Sequence, residues 1–249
     1  MSAPRACRVL ITDPAPGPWN MALDEALLED AAAGVPTLRF YQWSEPTLSL
    51  GYFQTAASRA GHPASGTCQL VRRASGGGAI LHDRELTYSL AIPSAWAAAK
   101  DAEALYLLVH RSLLAELEVH GIRAALNEQK SGLGRDDEPF LCFQRRAVGD
   151  VLFASHKIGG SAQRRHHGTV LQHGSVILRM SAKAPELPGI RELAGVDLGF
   201  QELAELWLPE IVQKTGLEPR FGELTAKDRA QASQIKAGKF ATREWLNRR

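Results

Sequence analysis

The residues able to do chemistry in this 249-residue chain fall in three short segments. The first runs from Arg72-Arg73 through Ser75 and the consecutive Gly76, Gly77 and Gly78 to His82 and Asp83. Consecutive glycines cost conformational entropy on folding. What they offer is a backbone on which a ligand can lie, with N–H groups aimed at an anion or a carbonyl. A flexible hairpin tip fits these glycines equally well. The second segment is Lys157, Ile158, Gly159, Gly160, Ser161, Ala162 and Gln163. A lysine ahead of paired glycines can polarise a carbonyl or support a thiolate. Taken alone, it reads better as a surface lysine before a turn. The third is Cys142-Phe143. A free cysteine is ordinarily a small buried hydrophobe, and it becomes a nucleophile only beside a cation. Lys157 and Arg145-Arg146 are the sequence-near cations.

Other chemistries find no support. There is no GxxxxGK[ST] loop, no GxGxxG spacing, no GxSxG elbow and no HExxH helix. Ser161 and Ser175 are therefore poor hydrolase nucleophiles. The eight histidines are scattered; His82, His156 and His173 read as structural or hydrogen-bonding residues before metal ligands, and no metal is assigned. Composition is that of a folded globular protein, 45% hydrophobic and 22% charged. A net charge of +2 gives no basic excess for nucleic-acid binding. The doublets Arg72-Arg73, Arg145-Arg146 and Arg164-Arg165 read mostly as solvated charge, with a basic rim for an acidic protein as the sharper alternative. Three distant cysteines suit a reducing compartment, and no signal peptide or membrane span is expected, which points to the cytoplasm.

These segments need elements to hold them. Helical spacing predicts helices over 19–33, with Asp24, Glu25, Glu29 and Asp30 on the wet side, and over 104–120, where Leu105, Leu108, Val109, Leu113 and Leu117 repeat. Strands are predicted at 37–43, 47–50, 69–73, 86–92, 150–155 and 169–180, with a turn at Gly159-Gly160 and a basic tip at 164–168. Residues 129–138 read as a polar, mobile surface loop, and 181–188 as a boundary. Beyond it the chain reads as helical over about 198–249: Phe200, Leu203, Trp207 and Ile211 form one stripe, and Thr225 with Asp228 a capping box. Strands and helices mixed without strict alternation argue for an α+β fold of mixed β-sheets flanked by helices.

Taken together, the sequence resembles the biotin/lipoate protein ligase superfamily, in its lipoate-ligase and octanoyltransferase branch. The resemblance begins at Asn20-Met21-Ala22-Leu23-Asp24-Glu25 and continues through Pro46 to Gln54, the segments at 72–83 and 157–163, His173-Gly174-Ser175, and Lys239 to Trp245. It implies a single catalytic domain over 1–249 that binds a medium-chain acyl group in a tunnel. Gly76, Gly77, Gly78 and His82 would line it and Lys157 would contact the acyl carbonyl. Arg72, Ser75, Gly51, Gly160, Ser161, Ala162 and His173 are the further substrate-binding candidates. In octanoyltransferases that look like ligases, the nucleophile lies in a Cys-Phe pair just upstream of the lysine motif, a position that Cys142 fills. The chain also ends soon after Trp245, where many ligases carry an accessory domain. The implied reaction is octanoyl transfer from acyl carrier protein, through a Cys142 thioester, to a lysine of a lipoyl domain or glycine-cleavage H protein, without a cofactor. The alternatives are an ATP- and Mg-dependent lipoate ligase, with residues 129–138 closing over an adenylate, a lipoyl-domain amidotransferase, and a non-catalytic acyl-binding homologue. Biotin transfer is disfavoured.

Overall fold

The computed structural model describes residues 5–129, 132 and 138–248. In chain order the elements are β1 (Arg5–Ile11), α1 (Gly17–Ala32), β2 (Thr37–Tyr41), β3 (Thr47–Leu50), β4 (Gln69–Arg72), β5 (Ile80–His82), β6 (Glu85–Pro93), α2 (Ala97–Lys100), α3 (Ala102–Val119), β7 (Ala125–Leu126), β8 (Val151–Phe153), β9 (His156–His166), β10 (Thr169–Ile177), α4 (Ile190–Ala194), α5 (Phe200–Thr215), β11 (Leu217–Phe221), α6 (Ala226–Ile235) and α7 (Arg243–Leu246), with a π-turn at Lys236–Phe240 before α7. Most of the predicted loop at 129–138 lies outside the described residues.

Eight strands form one sheet in the order β11-β1-β2-β6-β10-β9-β8-β7, and β4-β3-β5 form a second. The β11, β1 and β2 pairings are parallel and the rest of the large sheet is antiparallel. The expected α+β class with mixed sheets is the observed one. Alternation along β6 assigns the faces. Leu86, Tyr88, Leu90 and Ile92 enter a core with Leu105, Val109 and Leu113 of α3 and Leu203, Trp207 and Ile211 of α5. Ala91 on the other face packs with Leu23, Leu27 and Ala31 of α1 and Ala232 of α6. Helices therefore cover both faces, which is why β6 and β10 are buried along nearly their whole length.

Three expectations change. Asp24 and Asp30 of α1 are buried rather than wet. The Arg39 guanidinium of β2 pairs with Asp24 at 2.9 Å, and Tyr41 and Ser89 hydroxyls donate to the same carboxylate at 2.9 and 2.8 Å. Gly159-Gly160 is no turn: both lie within β9, opposite Val176 and Ser175 of β10. The C-terminal part contains a strand, β11, which extends the large sheet beside β1. Its helices follow the sequence signals, including the Thr225–Asp228 capping box, and Asp228 also pairs with Arg8 at 2.9 Å. Segment 181–188 is packed, with Ala184 and Leu187 buried in the core of the small sheet.

Candidate active site

Backbone hydrogen bonds bring the first and third segments together. Ala79 N–H donates to Phe140 O at 3.0 Å and Cys142 N–H to Ala79 O at 2.7 Å, so the Cys142–Gln144 turn is stitched to the end of the glycine run. Gly77 adopts φ +94, which favours glycine, and a Cβ there would sit 4.0 Å from Cys142 Sγ. A side chain at Gly51 would collide with the Gly77 carbonyl, so Gly51 lets β3 back directly onto the loop.

The β8–β9 hairpin delivers Lys157. A bulge opposite Val151 and Leu152 turns its side chain to Asp150, with Nζ–Oδ2 at 2.8 Å, and to Cys142, with Nζ–Sγ at 3.7 Å. Asp150 accepts further hydrogen bonds from Tyr106 OH and the Ala147 N–H, both at 2.7 Å. The pair is almost wholly buried, an arrangement that persists only when the charges and remaining lone pairs are satisfied, as they are here. Burial pulls the Lys157 proton affinity down, but negative charge at Cys142 and Asp150 more than offsets it, so this lysine titrates above its ordinary range.

Beside this pair lies a cavity of about 310 Å³. Gly76, Gly77, Ile80 and His82 wall it from the glycine loop and β5, residues 160–163 from β9, and residues 173–175 from β10. Met21, Tyr41, Trp43 and Phe143 give it an apolar surface suited to a hydrocarbon chain, with few polar groups at the reacting end. His82 stacks on Trp43 at 3.8 Å between ring centres, and its nitrogens meet Ser49 Oγ and Glu85 Oε1, each at 2.7 Å. Burial lowers its pKa. His173 Nε2 lies 2.5 Å from Ser75 Oγ, and burial with Arg73 nearby holds its pKa down to about 3, so it is neutral. Ser161 Oγ bridges His110 Nε2 and Tyr88 OH, each at 2.7 Å. His110 Nδ1 donates to Gly149 O, and burial holds this ring at a pKa of about 4.

Of the candidates, Cys142, Lys157, Gly76, Gly77, His82, Gly160, Ser161, Ala162 and His173 surround the cavity. Gly51, Arg72, Ser75 and Gly78 do not line it. Gly51 backs the loop, Ser75 holds His173, and Gly78 makes room for Arg145 and the Cys142 backbone. Arg72 is buried and donates to the carbonyls of Gly51, Tyr52, Gln54, Trp245 and Leu246. It is a structural clamp, because five carbonyls absorb its fork. Its neighbour Arg73 is the cavity residue. It is held by Ser49, Gly76 and Gly78 carbonyls, and burial draws its pKa down to about 10 without removing its charge. This doublet therefore supplies no surface rim. Arg145 pairs with Glu138 and donates to Pro139 O, while among the described residues Lys157 stands 3.7 Å from the Cys142 sulfur and the charge of Arg73 also acts on that cysteine.

Arg73, Asp150, Tyr106, Tyr41 and Trp43 escape the sequence reading. Arg73 stands within a named segment, but Asp150 meets Lys157 only through strand pairing, and Tyr106 meets Asp150 only through helix docking. Among the described residues, no group of three or more His, Cys, Asp or Glu side chains could hold a metal ion, and no helix is long and apolar enough to cross a membrane.

The family model for the lipoyl protein ligase A/B catalytic domain matches residues 16–186. An octanoyltransferase LipM of Oceanobacillus iheyensis is 40% identical over 169 residues, spanning 66% of this chain and 61% of the relative. Another, of Carboxydothermus hydrogenoformans, is 33% identical over 259 residues, spanning 93% and 95%. In structure, a lipoate-protein ligase A bound with ATP aligns with a TM-score of 0.79 at 20% identity, covering 97% of this chain and 98% of that one. A bipartite lipoate protein ligase from Thermoplasma acidophilum, described together with its E2 lipoyl domain, aligns at 0.76 with 21% identity, covering 97% and 96%. These two likenesses concern the fold.

Proposed function

The chain belongs to the lipoyl protein ligase A/B catalytic-domain family, and from that premise we propose that it is an octanoyltransferase working through a Cys142 thioester. One observation carries the choice of mechanism: the Cys142 thiol lies 3.7 Å from a buried ammonium at the wall of an apolar cavity. In the first half-reaction the Cys142 thiolate attacks the thioester carbonyl of octanoyl-acyl carrier protein, and the carrier thiol leaves. The octanoyl chain occupies the cavity, with Lys157 beside the carbonyl as the charge develops on oxygen. In the second, a lysine amine of a lipoyl domain or H protein attacks the acyl-enzyme and Cys142 departs. Thioester to amide is downhill, so the reaction needs no ATP. The site residues retained in this reading are Cys142 and Lys157 for the chemistry, with Gly76, Gly77, His82, Gly160, Ser161, Ala162 and His173 around the chain. The three free cysteines fit work in the cytoplasm.

Intact mass spectrometry after mixing with octanoyl-acyl carrier protein tests this. One octanoyl adduct is expected, formed without ATP and absent from Cys142→Ala; an unmodified enzyme, or an adduct that survives Cys142→Ala, would sink the thioester. The alternatives separate in the same assay. A ligase needs free acid, ATP and Mg, an amidotransferase takes its octanoyl group from a second lipoyl domain, and a non-catalytic homologue binds the chain without turnover.

A further inference from the structure

We propose that Asp150 is a positioning residue that keeps Lys157 an ammonium opposite an acylated Cys142, and so stops the octanoyl group from migrating from sulfur to the lysine nitrogen. The inference rests on the thioester reading. With Nζ 3.7 Å from Sγ, Lys157 places an amine beside any acyl group carried on Cys142. Intramolecular attack at such a distance enjoys a very large effective concentration over any incoming acceptor. A neutral Lys157 would attack the thioester carbonyl. The C–N bond would form, the C–S bond would break, and the amine proton would pass to the departing Cys142 sulfur. The product, octanoyl-Lys157 with a free thiol, is an amide and a dead end. An ammonium has no lone pair and cannot take this path.

The groups facing Lys157 decide its charge. Cys142 and Phe143 come from the short turn, Asp150 from the residue before β8, His110 from α3, and Tyr106 of α3 stands behind Asp150. Burial opposes the ammonium, and Cys142 and Asp150 oppose burial. Acylation removes the charge from sulfur and leaves Asp150 as the countercharge. His110 is neutral, Tyr106 is spent as a donor to Asp150, and Phe143 offers only a ring face 5.4 Å away. The site is built around the carboxylate. Tyr106 OH and the Ala147 N–H each hold one of its oxygens at 2.7 Å. Gly160 leaves the space: a Cβ there would stand 2.9 Å from Lys157 Nζ and 3.1 Å from Asp150 Oδ1.

The test uses the full chain with octanoyl-acyl carrier protein and no acceptor, followed by hydroxylamine and peptide mass spectrometry. Hydroxylamine strips thioesters and spares amides. Wild type should carry a hydroxylamine-labile octanoyl group on Cys142 alone. Asp150→Asn should shift the label to a hydroxylamine-resistant amide on Lys157 and lose transfer to acceptor by roughly 100-fold. Asp150→Glu should restore the labile adduct, a rescue that a merely structural role would not give. Tyr106→Phe keeps the carboxylate but loosens it, and should show a resistant fraction between the two, which covers poor folding of Asp150→Asn. Only labile Cys142 adduct in both Asp150→Asn and Tyr106→Phe overturns the inference while leaving the thioester intact. No Cys142 adduct in wild type overturns the thioester reading, and this inference with it.

Discussion

Lys157 has two neighbours with different demands, and substitutions separate them. Lys157→Ala leaves the Asp150 carboxylate buried and unpaired, which should destabilise the fold by about 3–5 kcal/mol as well as abolish transfer. Lys157→Arg keeps a cation for Asp150 but spreads it over a planar fork. Melting should then change little while the acylation rate drops by about 100-fold. A Lys157→Arg variant that keeps both its melting temperature and the wild-type acylation rate would show that the ion pair matters only for folding. The buried histidines make a second residue-scale prediction. His110 and His173 have folded pKa values of about 4 and about 3, below the ordinary 6.5. Above pH 6.5 neither the folded nor the unfolded chain binds these protons. As pH falls below 6.5 the unfolded chain takes them up and the folded chain refuses, so stability declines, by up to about 1.4 kcal/mol per pH unit for each histidine. Urea midpoints measured from pH 7 to 5 should fall, and His110→Gln should flatten the slope; a wild-type midpoint that rises on acidification contradicts the assignment. Sequence exposes Cys142, Lys157 and His82 because their types and motifs announce them. It hides Asp150, whose partner seven residues on is reached only through a bulged hairpin, and it misreads Asp24, since an acidic residue on a helix looks wet until Arg39 arrives from β2.

At the scale of elements, β9 carries the site because its sequence abandons side chains where a plain strand would keep them. Gly159 leaves room for Leu113 and Val151, and Gly160 for Lys157 and Asp150. Reading the pair as a turn follows from composition alone, and the full pairing with β10 overrides it. A methyl group at 160 meets the Lys157 Cε and Nζ atoms rather than backbone, and the flexible end of that side chain can move aside. Gly160→Ala should therefore cost little stability and much activity. The acylation rate should fall by at least about 10-fold, the scale expected when a reacting group is displaced, with Tm nearly unchanged. A variant that melts early and retains its acylation rate would contradict this. The long helices were legible because their apolar periodicity is strong and their faces meet the large sheet, as Leu203, Trp207 and Ile211 do. β11 was not, because Glu218, Pro219 and Arg220 show no apolar alternation; parallel pairing with β1 makes it a strand.

Over the whole molecule, the C-terminal segment is joined to the glycine loop through Arg72. Its guanidinium gathers carbonyls from residues 51–54 on one side and from Trp245 and Leu246 of α7 on the other. Trp245 returns the contact by donating Nε1–H to Arg72 O at 3.0 Å, and Lys239 ties the same region to Glu25 of α1. Residues far apart in sequence, 25, 51–54, 72 and 239–246, thus form one support behind Gly77, the glycine that faces the Cys142 sulfur. This explains why a conspicuous arginine in a ligand-binding motif need not touch ligand. Arg72→Ala leaves several buried carbonyls without a donor. Charge-donated hydrogen bonds contribute roughly 1.5–3 kcal/mol each, so a loss of at least about 3 kcal/mol is expected. For a chain of this size that lowers Tm by roughly 6–12 °C. The loss should be coupled: limited proteolysis should open both the 51–54 loop and the segment after Lys236, and the acyl-enzyme should form more slowly with an unchanged hydroxylamine sensitivity. Had Arg72 been a substrate ligand, the substitution would weaken donor binding while both segments stayed protected. Comparing the KM for octanoyl-acyl carrier protein with the two cleavage rates therefore separates clamp from contact.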